Sequence, residues 1–162
     1  METATTTHLR LDHTFFDNET RPQLGAVLLK ARLLRPEQLD YALDRQRGTG
    51  KRLGDVLVEL GLLYEQDISR AIALQNDLPY VDLQASSVDP RAAARLRPEV
   101  GAELRAIPVR LTDAGLLVAV ADPADAPSDR LAAETGMPVS VCVAEPSEIA
   151  RCWRELLRGR VP

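Results

Sequence analysis

Histidine and cysteine each occur only twice in this chain of 162 residues, and both histidines, His8 and His13, stand near its beginning. Two histidines without cysteine partners make a poor metal site, and two cysteines exclude tetracysteine zinc. The body of the chain also lacks a histidine for a Ser-His-Asp set. Cys142 and Cys152 are too few for a disulfide framework and read as free thiols of a reducing compartment. No apolar run reaches the roughly 18–20 residues of a membrane span, and no signal-peptide pattern opens the chain. The expected location is therefore the cytoplasm. A GxxxxGK[ST] phosphate loop is missing too. These absences predict a protein that is not an enzyme and needs neither metal nor cofactor. Basic charge is also short: the net charge of −4 lacks the positive face that nucleic acid requires. That weakens a helix-turn-helix reading of Glu65 to Pro79.

What the chain does have is a sequence written twice. Gln23 to Gln46 reads QLGAVLLKARLLRPEQLDYALDRQ, and after the spacer Arg47 to Lys51, Arg52 to Gln75 reads RLGDVLVELGLLYEQDISRAIALQ. A shift of 29 positions aligns Leu24-Gly25 with Leu53-Gly54, Leu28 with Leu57, Leu33 with Leu62 and Gln46 with Gln75. Such repeats mark a repeated structural unit, and two copies suit a pseudo-symmetric pair rather than a solenoid. In each copy Leu24, Val27 and Leu28 (Leu53, Val56 and Leu57) are spaced for a short amphipathic helix. A break follows, then a second helix with Leu39, Ala42 and Leu43 on one face in the first copy. The break falls at Arg32 and at Gly61. Glycine suits a helix terminus with positive φ; arginine there predicts either roughly 1 kcal/mol of strain or a different turn.

Core packing explains the aliphatic frame, but not the Leu-Gly that opens both copies or the Gln that closes them. On those positions the tandem resembles the MshEN domain, the N-terminal domain of ATPases of type II secretion and type IV pilus machines. Pro79 to Glu145, with VAVADP at Val118–Pro123, looks like the rest of that domain. The resemblance implies a ligand, cyclic di-GMP, a two-fold symmetric dinucleotide with two guanines and two phosphates. Each copy would hold one half of it, and the signal would pass to a protein partner of a secretion or pilus-type machine.

The resemblance also assigns residues. Arg52 stands where the family reads guanine, whose O6 and N7 suit a guanidinium fork. Gln23 occupies the matching place in the first copy, with Arg21 two residues earlier to supply charge. Gly25 and Gly54 would let backbone approach the ligand. Leu24, Leu28 and Leu33, with Leu53, Leu57 and Leu62, would form apolar walls, joined by Leu39, Leu43, Ile68 and Ile72. Gly61 marks the turn of the second copy. Gln46 and Gln75 offer donor and acceptor together. Asp55 and Asp122 would contact the ligand or orient the arginines; Asp122-Pro123 also reads as a plain turn starter. The competing class is a protein-docking module that binds no nucleotide.

Around the repeat, residues 1–20 lack periodicity and read as a flexible arm, with Phe15-Phe16 able to pin it to the helices. Residues 21–78 form the helical lobe of two repeated hairpins, Asn76–Pro79 a hinge, and 79–162 a mixed lobe, giving an α+β fold. In the second lobe strands are expected at Tyr80–Leu83, Ala106–Leu111, Leu116–Ala121 and Pro138–Val143. Helices are expected at Pro90–Leu96, Pro98–Arg105, Pro127–Thr135 and Ser147–Leu157, the last capped by its serine. Gly48 and Gly50 predict a flexible spacer between the two copies.

Overall fold

The computed structural model describes residues 23–83 and 88–159. Arg21 and the N-terminal arm lie outside the described residues. The repeat forms four helices: α1 (Leu24–Lys30), α2 (Pro36–Gln46), α3 (Leu53–Glu59) and α4 (Glu65–Gln75). Each helix of the second copy begins 29 positions after its counterpart in the first. Local chemistry accounts for this. The first helix of each copy ends in the same pair of backbone bonds, Arg32 N to Leu29 O with Leu33 N to Leu28 O, and Gly61 N to Val58 O with Leu62 N to Leu57 O. That is a Schellman closure, which requires a left-handed residue. Gly61 has φ 67° and Arg32 has φ 57°, so arginine takes the strained alternative rather than a different turn. The second helices start alike too. Arg35 N donates to Gln38 Oε1, and Tyr64 N to Asp67 Oδ2, satisfying one donor at each N-terminus.

Arg32→Gly is accordingly expected to raise stability by about 1 kcal/mol, and Gly61→Ala to lower it by about the same amount. A Cβ on Gly61 would meet nothing within 4 Å, so the whole cost is backbone conformation. Urea midpoints at constant m-value measure both changes.

The four helices do not stack as two independent hairpins. Helix α1 lies against α4, and α2 against α3, so each copy's first helix packs on the other copy's second. Leu28 and Leu57, both fully buried, sit in the shared core with Leu39, Ile68 and Ile72. Gly25 and Gly54 are helical. A Cβ would sit 3.1 Å from Leu39 Cδ2 at Gly25 and 2.8 Å from Ile68 Cγ2 at Gly54. The glycines common to both copies therefore admit a side chain of the second helix. The spacer is also less free than its glycines suggest. Gly48 and Gly50 supply φ of 75° and 67° to a turn, while Thr49 Oγ1 donates to Gln46 O and Gln46 Nε2 donates to Lys51 O.

The second lobe contains α5 (Pro90–Ala93), α6 (Pro98–Glu103), β1 (Ala106–Thr112), β2 (Gly115–Val120), α7 (Ser128–Thr135), β3 (Val139–Val143) and α8 (Pro146–Arg158). The sheet order is β1-β2-β3, with β1 antiparallel and β3 parallel to β2. Among the described residues a mixed three-stranded sheet stands beside eight helices, an α+β fold. The hairpin at Asp113-Ala114 closes by pairing Thr112 with Gly115, where a Cβ would lie 2.2 Å from Pro138 O. Gly136, at φ 68°, ends α7. Three sequence expectations change. The strand at Tyr80–Leu83 reduces to a single bridge from Tyr80 to Val143, because Val143 is the last residue of β3 and offers no further ladder. Helices α5 and α6 each end before the expected residue, at Ala93 and Glu103. Ser147 does not cap α8: Pro146 opens that helix and Ser147 Oγ donates to Glu65 Oε2 of α4.

Two apolar cores result, one among the repeat helices and one around the sheet. They meet at β3, whose Val143 side chain belongs to the helical core. Its backbone N–H donates to Pro79 O and its carbonyl accepts from Val81 N, both at 2.8 Å. The segment expected to hinge is thus stitched to the sheet edge. Cys142 and Cys152 are buried free thiols, and burial pushes Cys142 up to about 11. Among the described residues no helix is long and apolar enough to cross a membrane.

Candidate functional site

Where the second copy faces the sheet lobe there is a cavity of about 680 Å³. Arg52, the residue before α3, projects into it from extended backbone (φ −76°, ψ 152°). Its Nη1 donates to Asp122 Oδ2 at 2.5 Å, and its Nη2 pairs with Asp125 Oδ1. Both carboxylates come from the turn after β2. Asp122 Oδ1 also accepts from Ala124 N at 2.9 Å, so one carboxylate builds the turn and aims the arginine. A second guanidinium joins from the residue before β1. Arg105 reaches Asp55 of α3 at 3.5 Å and Asp125 at 3.4 Å. Two cations against three carboxylates thus bridge the repeat and the sheet lobe. All five side chains are partly exposed, so each pair contributes at most about 1 kcal/mol to stability. Their geometric effect is larger than their energetic one: Arg52 is held by two carboxylates of one turn, and Arg105 by one from that turn and one from α3.

The cavity gathers Arg52, Leu53, Gly54 and Asp55 with Ile68, Ile72 and Gln75 of the second copy. From the first copy it takes Leu24 and Gln46, and from the sheet lobe Asp122. The other residues singled out in the sequence lie elsewhere. Leu28, Leu39 and Leu57 are core residues with 2% or less exposure, as the helix packing demands. Leu43 and Leu62 pack against the edge of that core. Leu33 and Gly61 sit at the helix breaks, and Gly25 faces Leu39. Gln23, at the start of α1, does not line the cavity although its backbone (φ −65°, ψ 152°) matches that of Arg52. The pseudo-symmetry of the helices is therefore not a symmetry of the cavity. The cavity takes Arg52, the residue before α3, and not Gln23, the residue before α1.

Sequence reasoning missed Arg105 and Asp125. Arg105 follows a short helix without any motif, and only its left-handed backbone (φ 46°) sets it apart once the fold is known. Asp125 had a weak signal, a second acid three positions after Asp122 in a turn. Lys51 also lines the cavity, its Nζ held 2.8 Å from both Glu59 carboxylate oxygens. The lobes also touch where the Arg70 guanidinium of α4 lies 5.2 Å from the Tyr80 ring centre, and Tyr80 Oη in turn donates to Glu145 Oε1 at 2.8 Å. Burial, then the bond to Glu145, raises the Tyr80 phenol above its ordinary value.

Comparison with known proteins gives a consistent picture. The solved structure of MshE with cdg superposes with a TM-score of 0.74 at 30% identity, covering 84% of this chain and 99% of that one. The N-terminal domain of XpsE follows with a TM-score of 0.67 at 27% identity, covering 81% and 91%. The type IV pilus assembly ATPase PilB of Thermus thermophilus is 41% identical over 99 residues, 61% of this chain and 11% of that protein. Bacteriophage adsorption protein B of Escherichia coli is 30% identical over 150 residues, 90% of this chain and 20% of that protein. The chain thus spans a fifth or less of the length of these curated relatives. The MshEN domain model matches residues 76–162, beginning just after the second copy ends. With over half of its length matched by that model, the chain belongs to the MshEN domain family.

Proposed function

We propose that this chain is a cyclic di-GMP-binding sensor or adaptor that acts without catalysis or metal. It would work in the cytoplasm and pass the signal to a protein partner of a secretion or pilus-type machine, touching neither DNA nor the membrane interior. The observation that carries the reading is the meeting of Arg52, Gln75 and Asp122 in one cavity at the second copy of the repeat. The MshE structure with cdg, taken as cyclic di-GMP, supports it at 30% identity. In this reading Arg52 turns its fork to guanine O6 and N7, Asp122 keeps the guanidinium aimed, and Asp55 accepts from guanine N1–H and N2–H. Leu24, Leu53 and Ile72 give the apolar surface on which base and ribose rest. Calorimetry with cyclic di-GMP at tens of micromolar protein tests the reading. Heat with cyclic di-GMP but none with GTP or ATP supports it; silence with all three favours the docking module.

The first copy offers a graded test. Gln23 has the backbone of Arg52 without its charge or fork and lies outside the cavity, so Gln23→Arg asks whether the first copy is in use: binding tightened by roughly ten-fold marks it as a degenerate site that still holds a guanine. An unchanged dissociation constant by calorimetry means that the first copy holds no guanine.

A further inference from the structure

Resting on that reading, we propose that Arg105 is the phosphate-binding cation of the cavity. An anionic dinucleotide needs positive charge for its phosphates as well as a reader for its bases. Among the described residues the cavity offers three cations, Lys51, Arg52 and Arg105. Lys51 is held at 2.8 Å by both oxygens of Glu59, and Arg52 is the guanine reader. Arg105 differs from both. Its contacts to Asp55 and Asp125, at 3.5 and 3.4 Å, lie at the far end of hydrogen-bond range, so its charge is cheaply withdrawn from them. Its backbone, by contrast, is fixed. Arg105 N donates to Ala102 O, and Arg105 O accepts from Ala121 N beside the Asp122 turn. That backbone is left-handed, at φ 46°, a conformation strained for a residue other than glycine. A strained, anchored backbone with a loosely held charge at a cavity wall suits an anion contact better than a structural ion pair. It also sets the phosphate contact on the sheet lobe and the guanine contact on the repeat, so one ligand would touch both.

The test is calorimetric titration of the full chain with cyclic di-GMP across a sodium chloride series, using Arg105→Gln and Arg105→Lys. Arg105→Gln is expected to weaken binding about ten-fold or more and to flatten the salt dependence, since one charge contact is lost. Arg105→Lys is expected to stay within about three-fold of the unaltered chain, because a phosphate accepts a point charge where two carboxylates need the fork. Unchanged affinity in Arg105→Gln overturns the assignment while leaving cyclic di-GMP binding intact. Equal losses in both variants with an unaltered salt slope also overturn it, since they mark a structural bridge. If circular dichroism shows Arg105→Gln unfolded, Arg105→Lys decides: affinity within three-fold supports the contact, and a ten-fold loss overturns it. No binding by the unaltered chain overturns both this inference and the reading beneath it.

Discussion

Arg52→Ala is expected to weaken cyclic di-GMP binding by roughly five- to more than a hundred-fold, while moving the melting temperature little. The first expectation follows from the loss of a bidentate base contact, worth about 1–3 kcal/mol. The second follows from exposure. The Arg52 side chain is 40% exposed, so its pairs with Asp122 and Asp125 hold geometry more than they hold the fold. Arg52→Lys is expected to recover little, because an ammonium cannot present two parallel donors. Gln23→Ala should cost less than either, since Gln23 lies outside the cavity that surrounds Arg52. Calorimetry on the three variants gives the order directly. An Arg52→Ala dissociation constant within two-fold of the unaltered chain would remove Arg52 from the site.

Trp153→Ala is expected to lower stability by about 3–5 kcal/mol, a large part of the roughly 5–15 kcal/mol available to a domain. Trp153 is the chain's one tryptophan. Its ring fills the space over Gly101, where a Cβ would lie 2.6 Å from the indole. Its Nε1 donates to Ala106 O at 2.9 Å in a buried setting. Truncation therefore leaves both a void and a carbonyl without its donor, and the second defect adds to the first. Thermal melts followed by circular dichroism should show a fall of roughly 6–20 °C, at about 2–4 °C per kcal/mol for a chain of this size. Trp153→Phe keeps most of the volume and should lose much less. Since Ala106 follows Arg105, loosening this bond is also expected to weaken ligand binding beyond what the melting shift explains. Calorimetry well below the melting temperature separates the two effects.

Much of the architecture was legible because it is local. The 29-residue shift predicted four helices in two equivalent pairs, and their starts and breaks follow caps and turns within each copy. Arg32 shows the limit of that reasoning. Its strain was foreseen as one of two outcomes, and the Schellman bonds around it chose which. Tyr80–Leu83 shows the opposite case, an apolar stretch with strand character that found a single residue to pair with. Strand propensity describes a fit to a pleated, half-buried surface, and that surface is supplied from elsewhere in the chain.

The amino-acid sequence by itself determined the doubled helical unit and the α+β class, each of which depends on periodicity, capping or spacing over a few turns of chain. The residues expected to meet a guanine were implied by the resemblance to a family and not by that local chemistry. Only the tertiary structure decided that α1 packs on α4 and α2 on α3, since a buried stripe does not name its partner. It alone placed Asp122 and Asp125 against Arg52, about seventy residues away, and brought in Arg105, which no motif marks. It also broke the symmetry of the repeat. The sheet lobe is joined through Val143 and the Asp122 turn to the second copy, so two nearly equal sequences face unequal surroundings and one of them lines most of the cavity.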